Sequence, residues 1–326
     1  VYILDRWMHG RENGGNSTRW TISRTALAKT DLPYTAGHRN CMKLDCTTSS
    51  NNNGSNDTAY MNQRIEGFNC SHLDWGNSGA KTLALSFYAK TDGSTGVMSV
   101  SAYATKHYIR EVSLTNSWQK FTVTFPGNTS DEIPYDNTNG LQLMFVMHSG
   151  SDHEISANSW SSGFDCATSN QVNFGSSTNN NIYIAGVQLE EGTSATDFEH
   201  RPYEDILASC HRYTHRWDNG GGSTNNHSRF PLGYFSNSSS WTWHMFRPQM
   251  RTTEGATLEH NVGSINMMTG ADSQNSPTIS LMGDGSSSNI SAMVLNVNSG
   301  RSQHATAIGR IGNGQSDWYI IVSCEL

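Results

Sequence analysis

The chain has 326 residues, enough for two domains that each bury a core without disulfides or metals. Only 15% of residues are charged, yet the mean hydropathy is −0.56, so the polarity comes from Asn, Ser, Thr, Gln and Gly, which suit turns better than helix surfaces. A net charge of −7 with no basic block argues against a nucleic-acid partner, and no apolar run reaches the ~18 residues of a membrane span.

In chain order, Val1 to His9 is too short for a signal peptide and carries Asp5 and Arg6 early. With no initiator Met, the expectation is that the chain starts inside a longer polypeptide. Period-2 alternation, the mark of a half-buried sheet, then dominates. Leu83, Leu85, Phe87 and Ala89 face one way, and Ser86, Tyr88 and Lys90 the other. Phe121, Val123 and Phe125 repeat the pattern, as do Leu141, Leu143, Phe145 and Met147. Ile182 and Ile184 keep the parity, but the apolar positions resume at Val187 and Leu189, so Ala185-Gly186 marks a predicted β-bulge. Long polar loops are expected at Gly10–Thr18, Thr47–Asp57, Ser149–Ser162, Asn219–Ser228 and Gly283–Asn289, as variable connectors or binding loops.

The one helix the pattern supports runs over Tyr203–Cys210, after Pro202 and with Glu204 and Asp205 in its first turn. It marks a domain boundary. Beyond it, strands at Trp241–Phe246, Ile290–Val297, Ala305–Ile311 and Trp318–Cys324 build a smaller β domain. The fold class is therefore all-β: an N-terminal jelly-roll β-sandwich over residues 1–198, a short helical or extended linker over 199–217, and a C-terminal antiparallel β-sandwich over 218–326.

The six cysteines (Cys41, Cys46, Cys70, Cys166, Cys210 and Cys324) form no CxxC pair and read as free, mostly buried thiols of a protein made in a reducing cytoplasm. His211 and His215 have the i, i+4 spacing of helical metal ligands, but no second ligand cluster accompanies them, and the chain is expected to turn extended at Arg212-Tyr213. Asp131-Glu132, Asp152/Glu154 and Glu190-Glu191 are the dense acidic spots. Neighbours on a strand point to opposite faces, so they make poor glycosidase dyads. No phosphate-cradling loop or nucleophile elbow is present. No catalytic residue, metal or cofactor is expected, and the chain reads as not an enzyme.

Several segments together resemble a module of tailed-bacteriophage virion proteins. They are Tyr2-Ile3-Leu4-Asp5-Arg6-Trp7, Gln63-Arg64-Ile65-Glu66-Gly67, the run Lys81 to Lys90, Leu114-Thr115-Asn116-Ser117-Trp118-Gln119-Lys120-Phe121, and Val187-Gln188-Leu189-Glu190-Glu191-Gly192. Phe198-Glu199-His200-Arg201-Pro202, leading into Cys210-His211-Arg212-Tyr213, completes the set, which covers roughly residues 2–215 in the family's order. The family resembles carbohydrate-binding modules with a jelly-roll sandwich, carried by tail-fibre or capsid-fibre proteins. The resemblance implies a first strand upstream of Val1, a homotrimer, contacts with other virion proteins, a place on the virion surface, and host-surface or environmental polysaccharide as ligand. Related sugar-binding jelly rolls hold a calcium through acids before the final strand. Ala185-Gly186 stands there instead, which weakens that site.

Sugar sites stack pyranose rings on exposed aromatic faces. Trp75, Trp160, Trp241 and Trp243 are the candidate glycan-binding residues: Trp75 and Trp160 sit in polar loops, and Trp241 and Trp243 share a strand face. The expected function is a glycan-binding, host-adhesion role in a tail fibre or head fibre. The alternatives are a purely structural fibre or capsid-decoration subunit and, more distantly, a polysaccharide depolymerase.

Overall fold

The structure is a computed structural model. It describes residues 2–4, 7–12, 19–50 and 54–218, and beyond these the backbone of nine strands named below; side chains are described for residues 7–10, 19–50 and 54–214. The chain divides into two units, residues 1–200 and residues 201–325.

The first unit contains β1 (Tyr2–Leu4), β2 (Trp7–Glu12), β3 (Trp20–Ala26), a short helix α1 (Leu32–Thr35), β4 (Asn40–Cys46), β5 (Thr58–Glu66) and β6 (Leu83–Thr91). These are followed by β7 (Gly96–Tyr103), β8 (His107–Leu114), β9 (Gln119–Phe125), β10 (Asn139–His148), β11 (Trp160–Ser161) and β12 (Ile182–Glu191). A seven-stranded sheet runs β1-β2-β5-β10-β7-β8-β11 and a five-stranded sheet runs β3-β4-β12-β6-β9. Every ladder in them is antiparallel among the described residues, which makes the unit a jelly-roll sandwich.

The alternation read from the sequence sets the inner faces. Leu83, Leu85, Phe87 and Ala89 of β6 join Leu141, Leu143, Phe145 and Met147 of β10 in one core. Phe87 meets Phe145 across the sheets, with ring centroids 5.0 Å apart at 70°, and Phe121 of the neighbouring β9 at 5.4 Å. The outer faces depart from the expectation of half-burial. Ser86 and Tyr88 point away from this core yet are buried, because Tyr88 lies in a second cluster with Leu27, Cys41 and Ala185. Tyr34 and Ala36, from α1 and its C-cap, pack against that cluster. On the seven-stranded sheet, Cys166, Ala167 and Phe164 likewise cover Tyr60, Met144 and Val146.

The predicted bulge is present. Between Ala185↔Tyr88 and Gln188↔Ser86, β12 advances three residues while β6 advances two. Gly186 takes φ +58° there, and a Cβ on it would lie 2.4 Å from His38 Nε2. Beyond the bulge, Gln188 and Glu190 face outward and grip the chain that leaves the sandwich. Glu190 accepts from the Thr196 amide (2.8 Å) and hydroxyl (2.7 Å), and Gln188 Oε1 accepts from the Glu199 amide (2.7 Å). Phe198 then packs edge-on against His38 at 4.6 Å, and His200 Nε2 donates to the Ala36 carbonyl at 3.2 Å.

Of the expected loops, Gly10–Thr18 begins as strand, since Gly10, Arg11 and Glu12 pair with Tyr60, Ala59 and Thr58. Ser149–Ser162 contains β11. Asn219–Ser228 lies outside the described residues, as does Gly283–Asn289 except for Gly283, which ends a strand.

The second unit opens with α2 (Tyr203–His211), capped by Pro202, followed by β13 (Thr214–Asp218). Its other strands are β14 (Arg229–Asn237), β15 (Ser240–His244), β16 (Thr257–His260), β17 (Ile265–Thr269), β18 (Asp272–Ser276), β19 (Thr278–Gly283), β20 (Ile290–Asn296), β21 (Thr306–Ile311) and β22 (Tyr319–Ser323). They form a three-stranded sheet, β13-β22-β16, and a seven-stranded sheet, β18-β17-β21-β14-β15-β20-β19, all antiparallel. His211 ends α2 and His215 lies in β13, so the two share no helix face.

Candidate functional site

Two connections close one end of the first sandwich: residues 67–82 between β5 and β6, and residues 126–138 between β9 and β10. They interlock through the backbone. Gly76 N–H donates to the Asn128 carbonyl (2.8 Å), Gly67 N–H to the Thr138 carbonyl (3.0 Å) and Phe68 N–H to the Asp136 carbonyl (2.8 Å). A Cβ on Gly67 would stand 1.9 Å from the Pro134 carbonyl oxygen, so only glycine allows this approach.

Trp75 lies within this closure, and its expected exposure is corrected: it is 3% exposed, and its Nε1 donates to the Lys81 carbonyl at 2.9 Å. The 67–82 connection folds it under the sandwich end, where its ring meets Trp160 edge to face at 5.6 Å. Trp160 is also corrected. It belongs to no free loop but to β11, opposite Tyr108 of β8, and it is half-buried against the core with Tyr108 at 5.0 Å and 61°. The aromatic chain continues from Tyr108 to Phe125 at 6.3 Å. Trp241 and Trp243 lie two positions apart in β15, opposite Leu295 and Met293 of β20 and therefore on one sheet face; their side chains lie outside the described residues.

The same interlocked end carries two aromatics that the sequence reading passed over. Phe68 is 43% exposed and Tyr135 is 71% exposed, and their rings meet edge to face at 5.0 Å and 84°. The base beneath them is fixed. Asp136 Oδ1 accepts from both the Thr138 amide (2.8 Å) and hydroxyl (2.5 Å), and these bonds hold its carboxyl below the usual carboxylate range. Asp136, next to Tyr135, is half-buried, and Asn69, next to Phe68, is exposed. The arrangement is an L-shaped aromatic corner whose two rings are each followed in sequence by a polar residue, Asn69 and Asp136. It presents apolar faces to C–H-rich surfaces and polar groups to hydroxyls. Each aromatic stands among turn formers, in Gly67-Phe68-Asn69 and Pro134-Tyr135-Asp136, which is the signal available in the sequence.

The acidic spots are engaged elsewhere. Asp131 bonds Lys106 at 2.8 Å and Asn128 at 2.9 Å, and the Lys106 bond foremost lowers its pKa. Asp152 accepts from Ser55 Oγ at 2.8 Å, and Glu191 faces Lys81 at 3.5 Å. Glu190, the acid nearest the weakened calcium position, spends both oxygens on Thr196. Among the described residues, no three His, Cys, Asp or Glu side chains gather where a metal could bind, and no helix is long and apolar enough to cross a membrane. Cys41, Cys46, Cys70 and Cys166 are buried, and burial pushes the Cys41 thiol up to about 11 and Cys70 to about 12. Such thiols stay protonated and inert.

No known family profile matches the chain, and no curated protein does. Solved structures similar to it include one described as “CBM4 structure and function”, at 14% identity over 58% of this chain and 88% of that one, with a TM-score of 0.30. A family 11 carbohydrate-binding module from Clostridium thermocellum, in complex with a β-1,3-1,4-mixed-linked tetrasaccharide, is 12% identical over 60% of this chain and 92% of that one, with a TM-score of 0.29. TmCBM61, in complex with β-1,4-galactotriose, is 11% identical over 57% and 88%, also at 0.29. The jelly-roll assignment rests on the strand order and register given above.

Proposed function

We propose that this chain is a non-catalytic, glycan-binding appendage protein of a bacteriophage virion, exposed on the particle surface, and that it contacts saccharide through the Phe68–Tyr135 corner. The observation that carries the reading is this pair of outward rings on an interlocked backbone. Two exposed rings in contact make a small apolar patch on which a C–H-rich face can stack, and the interlocked base lowers the ordering cost of binding. The virion assignment is supported by the joint sequence resemblance over roughly residues 2–215.

Stacking a pyranose on Tyr135 removes on the order of 60 Å² of apolar surface, about 1.5 kcal/mol or roughly tenfold in affinity. In a glycan-array screen followed by calorimetry, the Tyr135→Ala and Phe68→Ala variants are each expected to weaken the best ligand about tenfold without changing its rank order. Binding by wild type that both variants retain would move the site elsewhere. No binding by wild type would favour a purely structural subunit, and immunogold labelling of intact virions tests the location separately.

A further inference from the structure

Where the chain leaves the first sandwich, one histidine is enclosed by groups that suit only its neutral form. The His38 ring lies between Tyr88 of β6, at 5.8 Å, and Phe198 of the departing chain, at 4.6 Å, both edge to face. His200 faces the same ring at 5.4 Å. Two glycines in the left-handed region make the room. A Cβ on Gly186 (φ +58°) would lie 2.4 Å from His38 Nε2, and one on Gly37 (φ +101°) 2.8 Å from His200 Nε2. His38 Nε2 is buried and, among the described residues, has no hydrogen-bond partner, so a proton added there meets no acceptor.

The charges that act on this ring have one sign. His200 and Arg39 both oppose a proton on it. The carboxylates of the elements packed around it are engaged elsewhere or exposed. Asp31 accepts from the Ala28 amide at 2.7 Å, Glu190 accepts from Thr196, and Glu191 faces Lys81 at 3.5 Å. Asp197 and Glu199 are exposed, and on β6 Lys90 is paired with Asp92 at 3.3 Å.

We propose that His38 is an acid-sensitive latch: a proton on its ring expels Phe198 and His200 and frees residues 197–200 from the sandwich. These are the last residues of the first unit, so opening adds about 13 Å of extended chain to its connection with the second. The Glu190–Thr196 bonds do not involve the ring and mark where the release stops. Burial foremost, then His200 and Arg39, lowers the His38 pKa from its usual 6.5. The closed form is therefore the neutral one. The latch is complete above pH 6.5 and is lost as the pH falls through the lowered value.

Hydrogen exchange of the full chain at pH 7.5 and 5.5, resolved by peptide and scaled for the intrinsic effect of pH, tests this. The Glu199 amide donates to Gln188 Oε1 at 2.7 Å. The peptide that holds it is expected to be protected at pH 7.5 and to lose that protection at 5.5, while β6 keeps its own. Phe198→Ala supplies the open reference at both values. His38→Phe keeps a ring against Phe198 but takes no proton, and is expected to stay closed at both. The midpoint of the loss in wild type is expected to match the titration of the His38 ring followed by NMR, a readout that needs no variant. Equal protection of wild type at both pH values overturns the proposal. So does a His38→Phe chain that is closed at pH 7.5 and still opens at 5.5, opening shared by β6, or midpoints that do not coincide.

Discussion

The placement of Trp75 in the sandwich end makes a quantitative demand that separates it from a surface stacker. Its ring is almost wholly buried, touches Trp160 edge to face, and belongs to the same core as Phe87 and Phe145. Trp75→Ala removes that surface and leaves a cavity, for which large-to-small aromatic substitutions cost about 3–5 kcal/mol. It also strands the Lys81 carbonyl that accepts the indole N–H at 2.9 Å, which adds about 1 kcal/mol if water cannot enter. At roughly 2–4 °C per kcal/mol for a unit of this size, the first unit's transition falls by about 8–24 °C. Calorimetry on the full chain, with tryptophan fluorescence in urea as a second probe, measures the shift. Tyr135→Ala is the internal control, because removing a ring that is 71% exposed is expected to move the transition by no more than about 2 °C. A Trp75→Ala protein that melts like wild type but loses saccharide binding would refute the burial argument and return Trp75 to the surface.

Two further outcomes follow from single residues. Gly186→Ala forces an L side chain into φ +58° and sets its Cβ 2.4 Å from the His38 ring, so a loss of about 2–3 kcal/mol is expected in urea unfolding; an unchanged midpoint would show that the bulge bears no such constraint. Burial depresses His107 from 6.5 to about 4, with Asp165 opposing and His153 assisting the shift. The unfolded chain therefore takes up this proton first as pH falls. The stability this residue gives is intact above pH 6.5 and is lost progressively down to about pH 4, about 3 kcal/mol in all. Burial lowers His38 and His148 in the same direction. His107→Gln is expected to flatten the pH 7.5-to-4.5 difference in unfolding free energy by that share, and an equally steep variant would refute the assignment.

What the sequence disclosed is what short-range geometry dictates. The two-residue period of β6, β9 and β10 identified their inner faces because each residue's side is fixed by its neighbours. The slip from Ile184 to Val187 located the bulge because an extra residue must reverse parity. Pro202 and the acids behind it announced α2 for equally local reasons. Burial of Trp75 was not legible, because it depends on the 67–82 and 126–138 connections meeting, an event between segments far apart in the chain. Trp160 misled for a related reason: its Ser- and Asn-rich surroundings do look like a loop, yet a two-residue pairing with β8 is enough to draw it against the core.

The same distinction explains why the candidate site sits at an edge of the sandwich. Parity states which side of a sheet a residue occupies, but not whether another segment returns to cover it. Tyr88 on one outer face and Tyr60 on the other are both sealed, by the α1 region and by the stretch around Phe164 and Cys166. Sealing them uses up much of the aromatic surface that either face would offer a ligand. The closing connections differ at one point: they bury Leu73, Trp75 and Ile133, but where Gly67 and Pro134 meet through the backbone there is no room for a side chain between them. Pro134 and Gly67 approach at the backbone, so Phe68 and Tyr135 beside them are turned outward. The exposure of this pair thus follows from the way the sandwich end is closed.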